Sequence, residues 1–319
     1  MNSAFRDIIV LKDLSLLKAV GIAILVSLVG FAILDQIGVI TISPTTFYWG
    51  ANMLGGFIFG IGMVLAGGCA SGVTYRTGEG MVGAMVAVVG LTLFGLMTST
   101  GVFKPFVDTI RGATTITTAE GANPTLANIF GIPHYILALA IAGVALILWA
   151  VLAKRGEKEK DEASLYDRIF KRGWGWQSTG VVIGLIGVVA FWASASTGRM
   201  YPLAITGGYL STARTLIEGQ NYMTWLPIML LSTIVGAFIA AIIAGEFRFR
   251  APAPKVLIQC FIGGGLMGFG AVCSGGCNIT HVLSGVPQLA LSSIVGGIFI
   301  ILGCWAAAWW MFLRPMRNL

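Results

Sequence analysis

One stretch of the chain occurs twice, and the duplication limits what the rest can fold into. The first copy reads GGFIFGIGMVLAGGCASG, from Gly55 to Gly72, and the second reads GGGLMGFGAVCSGGCNIT, from Gly263 to Thr280. An offset of 208 superposes Gly55, Gly56, Gly60, Gly62, Val64, Gly67, Gly68 and Cys69 on Gly263, Gly264, Gly268, Gly270, Val272, Gly275, Gly276 and Cys277, eight matches in fifteen positions. Glycine is abundant, 44 of 319 residues, and inflates the score, but two of only five cysteines close the two Gly-Gly-Cys triplets. Duplicated apolar segments broken at equivalent places point to the binding site of a transporter built from repeats.

Composition identifies the solvent. Hydrophobic residues make up 56% of the chain, charged residues only 10%, and mean hydropathy is +0.88. A soluble domain carries about a quarter charged residues, so this is an integral membrane protein. The expected fold is all-α: one polytopic transmembrane bundle over 1–319, with two inverted repeats and short re-entrant or broken helices at the Gly-Gly-Cys motifs. Residues 1–15 read as a cytoplasmic amphipathic lead-in to a retained first helix; acids and the lack of a small-residue cleavage site argue against a signal peptide. The net charge of +7 calls for no nucleic-acid partner, because polytopic proteins collect Lys and Arg on cytoplasmic loops. The five cysteines form no disulfide framework or zinc pattern.

Apolar segments near 16–34, 50–69, 81–99, 134–153, 176–194, 225–244, the second copy and 289–312 give eight crossings of ~30 Å of hydrocarbon. The 208 offset carries 16–34 onto 224–242 and 81–99 onto 289–307. Repeat one thus spans about 16–99 and repeat two about 224–307, with connecting helices and a cytoplasmic loop within 100–223. Residues 195–223 read as a loop with a Thr-Gly-Gly turn. Alternating sides puts 16 of the 20 basic residues on one face and leaves Lys104, Arg111, Arg199 and Arg214 on the other. That split places both termini in the cytoplasm and starts the two repeats on opposite sides.

Gly-Gly at the end of an apolar helix releases the backbone from right-handed geometry, which lipid tolerates only inside protein or along a cavity. The next residue can cap a new short helix, whose unpaired N–H groups and positive end suit an anion. A thiol there donates a weak S–H bond, and two facing thiols suit a soft, sulfur-bearing anion. The expected pathway residues are Cys69 and Cys277, with Gly67, Gly68, Gly275 and Gly276 admitting close backbone approach. Ser71 and Asn278 supply secondary contacts, and Cys273 is a further candidate. Arg111 and Arg214 on the outer loops would attract an anion. Buried cysteines are commonly inert and small-residue stripes commonly mere packing, but the pair in register favours function. Cys260 and Cys304 read as core.

At Gly-Gly-Cys-Ala-Ser-Gly and Cys-Ser-Gly-Gly-Cys-Asn the sequence resembles, over essentially its whole length, the bacterial YeeE/YedE family of sulfur-compound transporters, most closely its thiosulfate-uptake branch. The resemblance implies an inner-membrane protein that passes thiosulfate along cysteines by transient S–H···S bonds, without large rocking. It also implies a small cytoplasmic sulfurtransferase of the TusA type as partner. Cys69 and Cys277 match the two motif cysteines of the family. A further cysteine near the N-terminus of that branch has no match, since none precedes Cys69; either the step is absent or a group such as Cys273 replaces it.

The reading is therefore an inner-membrane permease for thiosulfate or a related sulfur anion, not an enzyme, with no cofactor and no resident metal. GxxxxGK[ST] does not occur, which excludes a P-loop ATPase. Three rivals stand beside it: a membrane thiol protein for sulfur transfer or redox; a permease for a selenium anion or for a metal held by Cys273, Cys277 and His281; and a sulfurtransferase scaffold.

Overall fold

The computed structural model describes residues 1–118, 121–152 and 174–316; the strongly charged stretch at 154–172, expected as a solvated loop, lies outside them. In chain order the helices are α1 (Asn2–Val10), α2 (Ser15–Gln36), α3 (Trp49–Leu65), α4 (Ala70–Gly78), α5 (Val82–Ser99), α6 (Lys104–Thr114), α7 (Leu126–Phe130), α8 (His134–Leu152), α9 (Trp176–Ser196), α10 (Ile205–Glu218), α11 (Trp225–Ala244), α12 (Pro254–Ser274) and α13 (Leu291–Ala308), with a π-helical segment Ile279–Gly285 before the last. Among the described residues seven segments are long and apolar enough to cross a membrane: α2, the broken α3–α4 pair, α5, α9, α11, α12 and α13 with its extension to Leu313; α8 adds a shorter apolar helix. The sole sheet among the described residues pairs Phe47–Tyr48 with Thr115–Ile116. The chain is an all-α polytopic membrane protein; of the eight expected crossings, seven coincide with the long segments and the eighth, 134–153, falls on the shorter apolar helix α8.

The glycine stripes decide how the helices meet. A Cβ on Gly55 would lie 2.4 Å from Ser274 N, and one on Gly62 would lie 2.7 Å from Gly263 O. Early α3 thus meets late α12 and late α3 meets early α12, so the two helices cross antiparallel. Each also runs parallel to the third helix of the other half. Gly56 and Gly60 press on the carbonyls of Gly296 and Ile300 in α13, and Gly264 and Gly268 press on those of Ala87 and Leu91 in α5. Between apolar helices in lipid no hydrophobic gain separates packed from unpacked, so close van der Waals approach at small residues carries the association. Parallel α2 and α9 form a second unit by the same means, with Gly180 on Ala19 and Gly30 on Val188.

One expectation is refined and one corrected here. The amphipathic lead-in at residues 1–15 holds a helix, α1, that buries Asn2, Ala4, Phe5 and Asp7. Trp305 Nε1 donates to Phe5 O at 3.0 Å and Cys304 Sγ to Asn2 Oδ1 at 3.8 Å, holding the helix against α13. The Thr-Gly-Gly tripeptide is not a turn but the first turn of α10. Gly208 is helical because Leu226 O would sit only 2.8 Å from a Cβ there, so packing against α11 overrides the low helix propensity of glycine.

Gly264→Ala is expected to destabilise the protein by ~1–3 kcal/mol through overpacking, because its Cβ would lie 2.0 Å from the Ala87 carbonyl oxygen. Gly236, in α11, has open space around it, so Gly236→Ala is expected to unfold no earlier than the parent. Thermal unfolding of the detergent-solubilised protein, followed by gel filtration, separates the two.

Candidate functional site at the paired helix breaks

Both Gly-Gly-Cys motifs fold the same way. Helix α3 ends at Gly67 with φ +69°, and α12 ends at Gly275 with φ +79°; a left-handed glycine is the ordinary stop for a helix. The second glycine follows, and then the cysteine precedes a new helix. Val73 N donates to Cys69 O and His281 N to Cys277 O, each at 2.9 Å, bonds related by the same 208 offset. Cys69 is the N-cap of α4, its backbone extended at φ −74° and ψ 174°. Gly276 leaves room that a larger residue would take, since its Cβ would lie 2.6 Å from Thr280 Cγ2.

A helix break inside a membrane leaves carbonyls without intrahelical partners, and these are met by side chains. Asn52 Nδ2 donates to Ser274 O at 2.6 Å, and Cys260 Sγ approaches Ala66 O at 4.0 Å, the equivalent bond in the other half. Gln259 Nε2 donates to Leu65 O at 3.1 Å and Arg76 Nη1 to Gly67 O at 2.5 Å. On the second motif Arg111 donates from Nη2 to Val272 O and from Nε to Cys273 O, the latter at 3.3 Å. Tyr201, outside the spans, donates its hydroxyl to Thr280 O at 2.9 Å, and burial pushes its phenol well above its usual pKa, keeping it a neutral donor.

With the carbonyls satisfied, the thiols keep hydroxyl and amine neighbours at long range. Cys69 and Cys277 belong to one buried cluster. Cys69 Sγ lies 3.3 Å from Ser71 Oγ, and Cys277 Sγ lies 3.4 Å from Thr280 Oγ1. The first residue of the sequence stands between the motifs: its backbone nitrogen is 3.8 Å from Cys69 Sγ, and its thioether accepts from Asn278 Nδ2 at 2.9 Å. Ser71 and Asn278 thus adjoin the two thiols.

Two cavities open toward the breaks. One of about 440 Å³ reaches Gly275, Gly276 and Cys277 and is lined by Arg111 and Arg199. Neither arginine makes an ion pair with a carboxylate among the described residues. Their guanidinium groups are fixed instead by carbonyls and by aromatic faces, Arg111 over Tyr48 at 5.1 Å and Arg199 over Tyr201 at 5.5 Å. Such held, unneutralised charges raise the local concentration of anions. The other cavity, about 330 Å³, lies beside Gly67 with Arg76, Arg250 and Cys260 on its walls.

Three sequence candidates are placed elsewhere. Cys273 Sγ faces Ala51 O at 3.8 Å, in a separate cluster with Ala51 and Val107, because successive helical residues Cys273 and Ser274 point to different neighbours. Arg214 pairs with Glu218 at 2.9 Å and with Tyr222, away from the 440 Å³ cavity; Arg199 occupies the position expected of it. His281 is bonded at both nitrogens, to Ser293 Oγ at 3.2 Å and Ser274 Oγ at 3.3 Å. Ser274 spends its proton on Gly276 O at 2.8 Å, so Nε2–H donates and Nδ1 accepts from Ser293. No lone pair is left for a metal, and the Cys273, Cys277, His281 face is not assembled. Arg199 and Tyr201 carry no sequence signal beyond their place in an outer segment of low charge.

Gly275→Ala is expected to cost ~1–2 kcal/mol from left-handed strain, since nothing lies within 4 Å of its Cβ position. Gly275→Asn is expected to cost less, because Asn tolerates that conformation. The order of their unfolding temperatures checks the geometry.

The profile of the family described as sulphur transport matches residues 1–306. The chain is 39% identical over 321 residues to a protein named thiosulfate transporter TsuA from Spirochaeta thermophila, covering 98% of this chain and 93% of that relative. It is 34% identical over 327 residues to the protein of the same name from Escherichia coli, covering 100% of this chain and 90% of the relative. A probable transporter YedE of Escherichia coli is 42% identical over 102 residues, 32% of this chain and 25% of that protein.

Proposed function

Since the chain belongs to the sulphur transport family, we propose that it is a permease for thiosulfate, the anion named in its full-length relatives. The observation that supports this best is the pair of thiols at equivalent helix starts in one buried cluster, one of which, Cys277, lines a cavity carrying two carboxylate-free arginines. Arg111 and Arg199 draw the dianion in, and Cys277 meets it where the cavity ends. Cys69 receives it on the other side of the break. Thiols suit the task because a weak S–H donor matches the soft terminal sulfur and releases it readily, whereas a strong site would trap the anion.

The two halves act as inverted repeats, which the antiparallel crossing of α3 and α12 supports, in a single transmembrane unit over 1–319. The basic inner loops face the cytoplasm of a bacterial inner membrane. There a TusA-like sulfurtransferase takes the delivered sulfur, and its consumption maintains the inward gradient. Passage is non-covalent, so the protein is a carrier rather than an enzyme.

Uptake of radiolabelled thiosulfate by a transport-deficient strain tests this at matched membrane expression. Cys69→Ala and Cys277→Ala are expected to lose about tenfold or more of the rate, the factor carried by ~1.4 kcal/mol. Cys273→Ala, and Arg214→Gln with its exposed ion pair, are expected to stay within about twofold. Full uptake by both of the first pair would reject the thiol route. A persulfide on either thiol after turnover, seen by mass spectrometry, would replace passage by covalent relay.

A further inference from the structure

The 440 Å³ cavity that reaches Cys277 is also walled by the start of α10, where Ala204, Thr206 and Gly207 all line the space. A helix of fourteen residues begins there, and its first amides have no partner within the helix. A second observation concerns Thr206 itself. It is only 5% exposed, and its hydroxyl has no hydrogen-bond partner among the described residues. Threonines elsewhere in the helices return their hydroxyl to the carbonyl four residues back: Thr74 to Ala70, Thr92 to Val88, Thr98 to Phe94, Thr212 to Gly208. For Thr206 that residue is Pro202, whose carbonyl accepts from Arg199 Nη1 at 2.8 Å. Pro202 lies ahead of the helix, so no carbonyl four residues back is placed to accept, and the hydroxyl stays without a partner in a residue that lines the cavity.

A buried hydroxyl without a partner is a cost that a fold ordinarily removes. Here it stands beside a helix N-terminus and two unneutralised guanidinium groups, all of which favour negative oxygen. We propose that Thr206 and the first turn of α10 form an oxyanion subsite that holds the oxygen end of a small tetrahedral sulfur anion. Arg199, on the same cavity wall, serves it by its charge. The anion then lies with its oxygens on α10 and its terminal sulfur toward Cys277, so the subsite orients the substrate before the narrow step. The inference rests on the transport reading for the identity of the anion, while the subsite itself requires only an oxyanion.

Thr206→Val removes the hydroxyl at nearly constant shape, and Thr206→Ser keeps it. In thiosulfate uptake, Thr206→Val is expected to raise the half-saturating concentration about tenfold or more, as for loss of a hydrogen bond to a charged group, and Thr206→Ser to stay near the parent. Without anion, the unfolding temperature of Thr206→Val is expected to equal or exceed that of the parent. An unchanged half-saturation in Thr206→Val, or equal impairment of both variants, overturns the subsite. Thermal shift of the purified protein with thiosulfate and with sulfate separates this from the transport reading. If the parent takes up no thiosulfate, the substrate assignment falls, but an oxyanion-induced shift that Thr206→Val abolishes upholds the subsite. A parent that neither anion shifts overturns it.

Discussion

Backbone-to-backbone contact between α3 and α12 is the constraint on which the remaining structure depends. Gly55, Gly62, Gly263 and Gly270 each face a main-chain atom of the other helix at a distance that leaves no room for a Cβ. Because the crossing is antiparallel, the end of each helix comes to the flank of the other's beginning. Each left-handed glycine, Gly67 or Gly275, therefore stops its helix inside protein rather than in lipid. The breaks are tolerable because the crossing surrounds them.

That enclosure creates a second demand, since carbonyls freed at the breaks have no water to turn to. Asn52, Gln259, Arg76, Arg111 and Ser274 from helices, and Tyr201 from the connection before α10, answer it. Their bonds fix the frame and leave Cys69 and Cys277 with a hydroxyl or a thioether-bearing neighbour for company. A rigid frame around weak donors suits a soft anion that must be recognised and then let go. Segment 201–209 binds the two motifs together, with Tyr201 on Thr280 and Tyr209 on Thr74 in α4. The 440 Å³ cavity and both short helices share this one strap.

The legible parts of the site were those that follow from local backbone chemistry. Gly-Gly-Cys reads as a stop, a break and a cap because glycine alone adopts the left-handed stop cheaply, and both motifs adopt that course. Side-chain direction was not legible. Cys273 and Cys277 are four apart, a spacing that shares a helical face, but the break at Gly275 intervenes and Cys273 turns to Ala51. Arg214 was read as an anion-attracting charge and Arg199 was not; Glu218, four residues on, takes Arg214, whereas carbonyls, a hydroxyl and the Tyr201 ring hold Arg199. Gly207 and Gly208 were read as a turn because propensity ignores the neighbour, Leu226, that makes small residues useful in α10.

By itself the sequence determined the solvent, the places of the apolar helices and the doubling of one motif, because hydropathy, length and repetition are properties of the chain alone. It also determined that each motif stops one helix and begins another, since glycine's freedom is local. The tertiary structure decided which thiols share a cluster, which arginines face the cavity and which hydroxyl lacks a partner. Those outcomes depend on atoms brought together from segments as far apart as Asn52 and Ser274, or Arg111 and Val272, and no local preference encodes them.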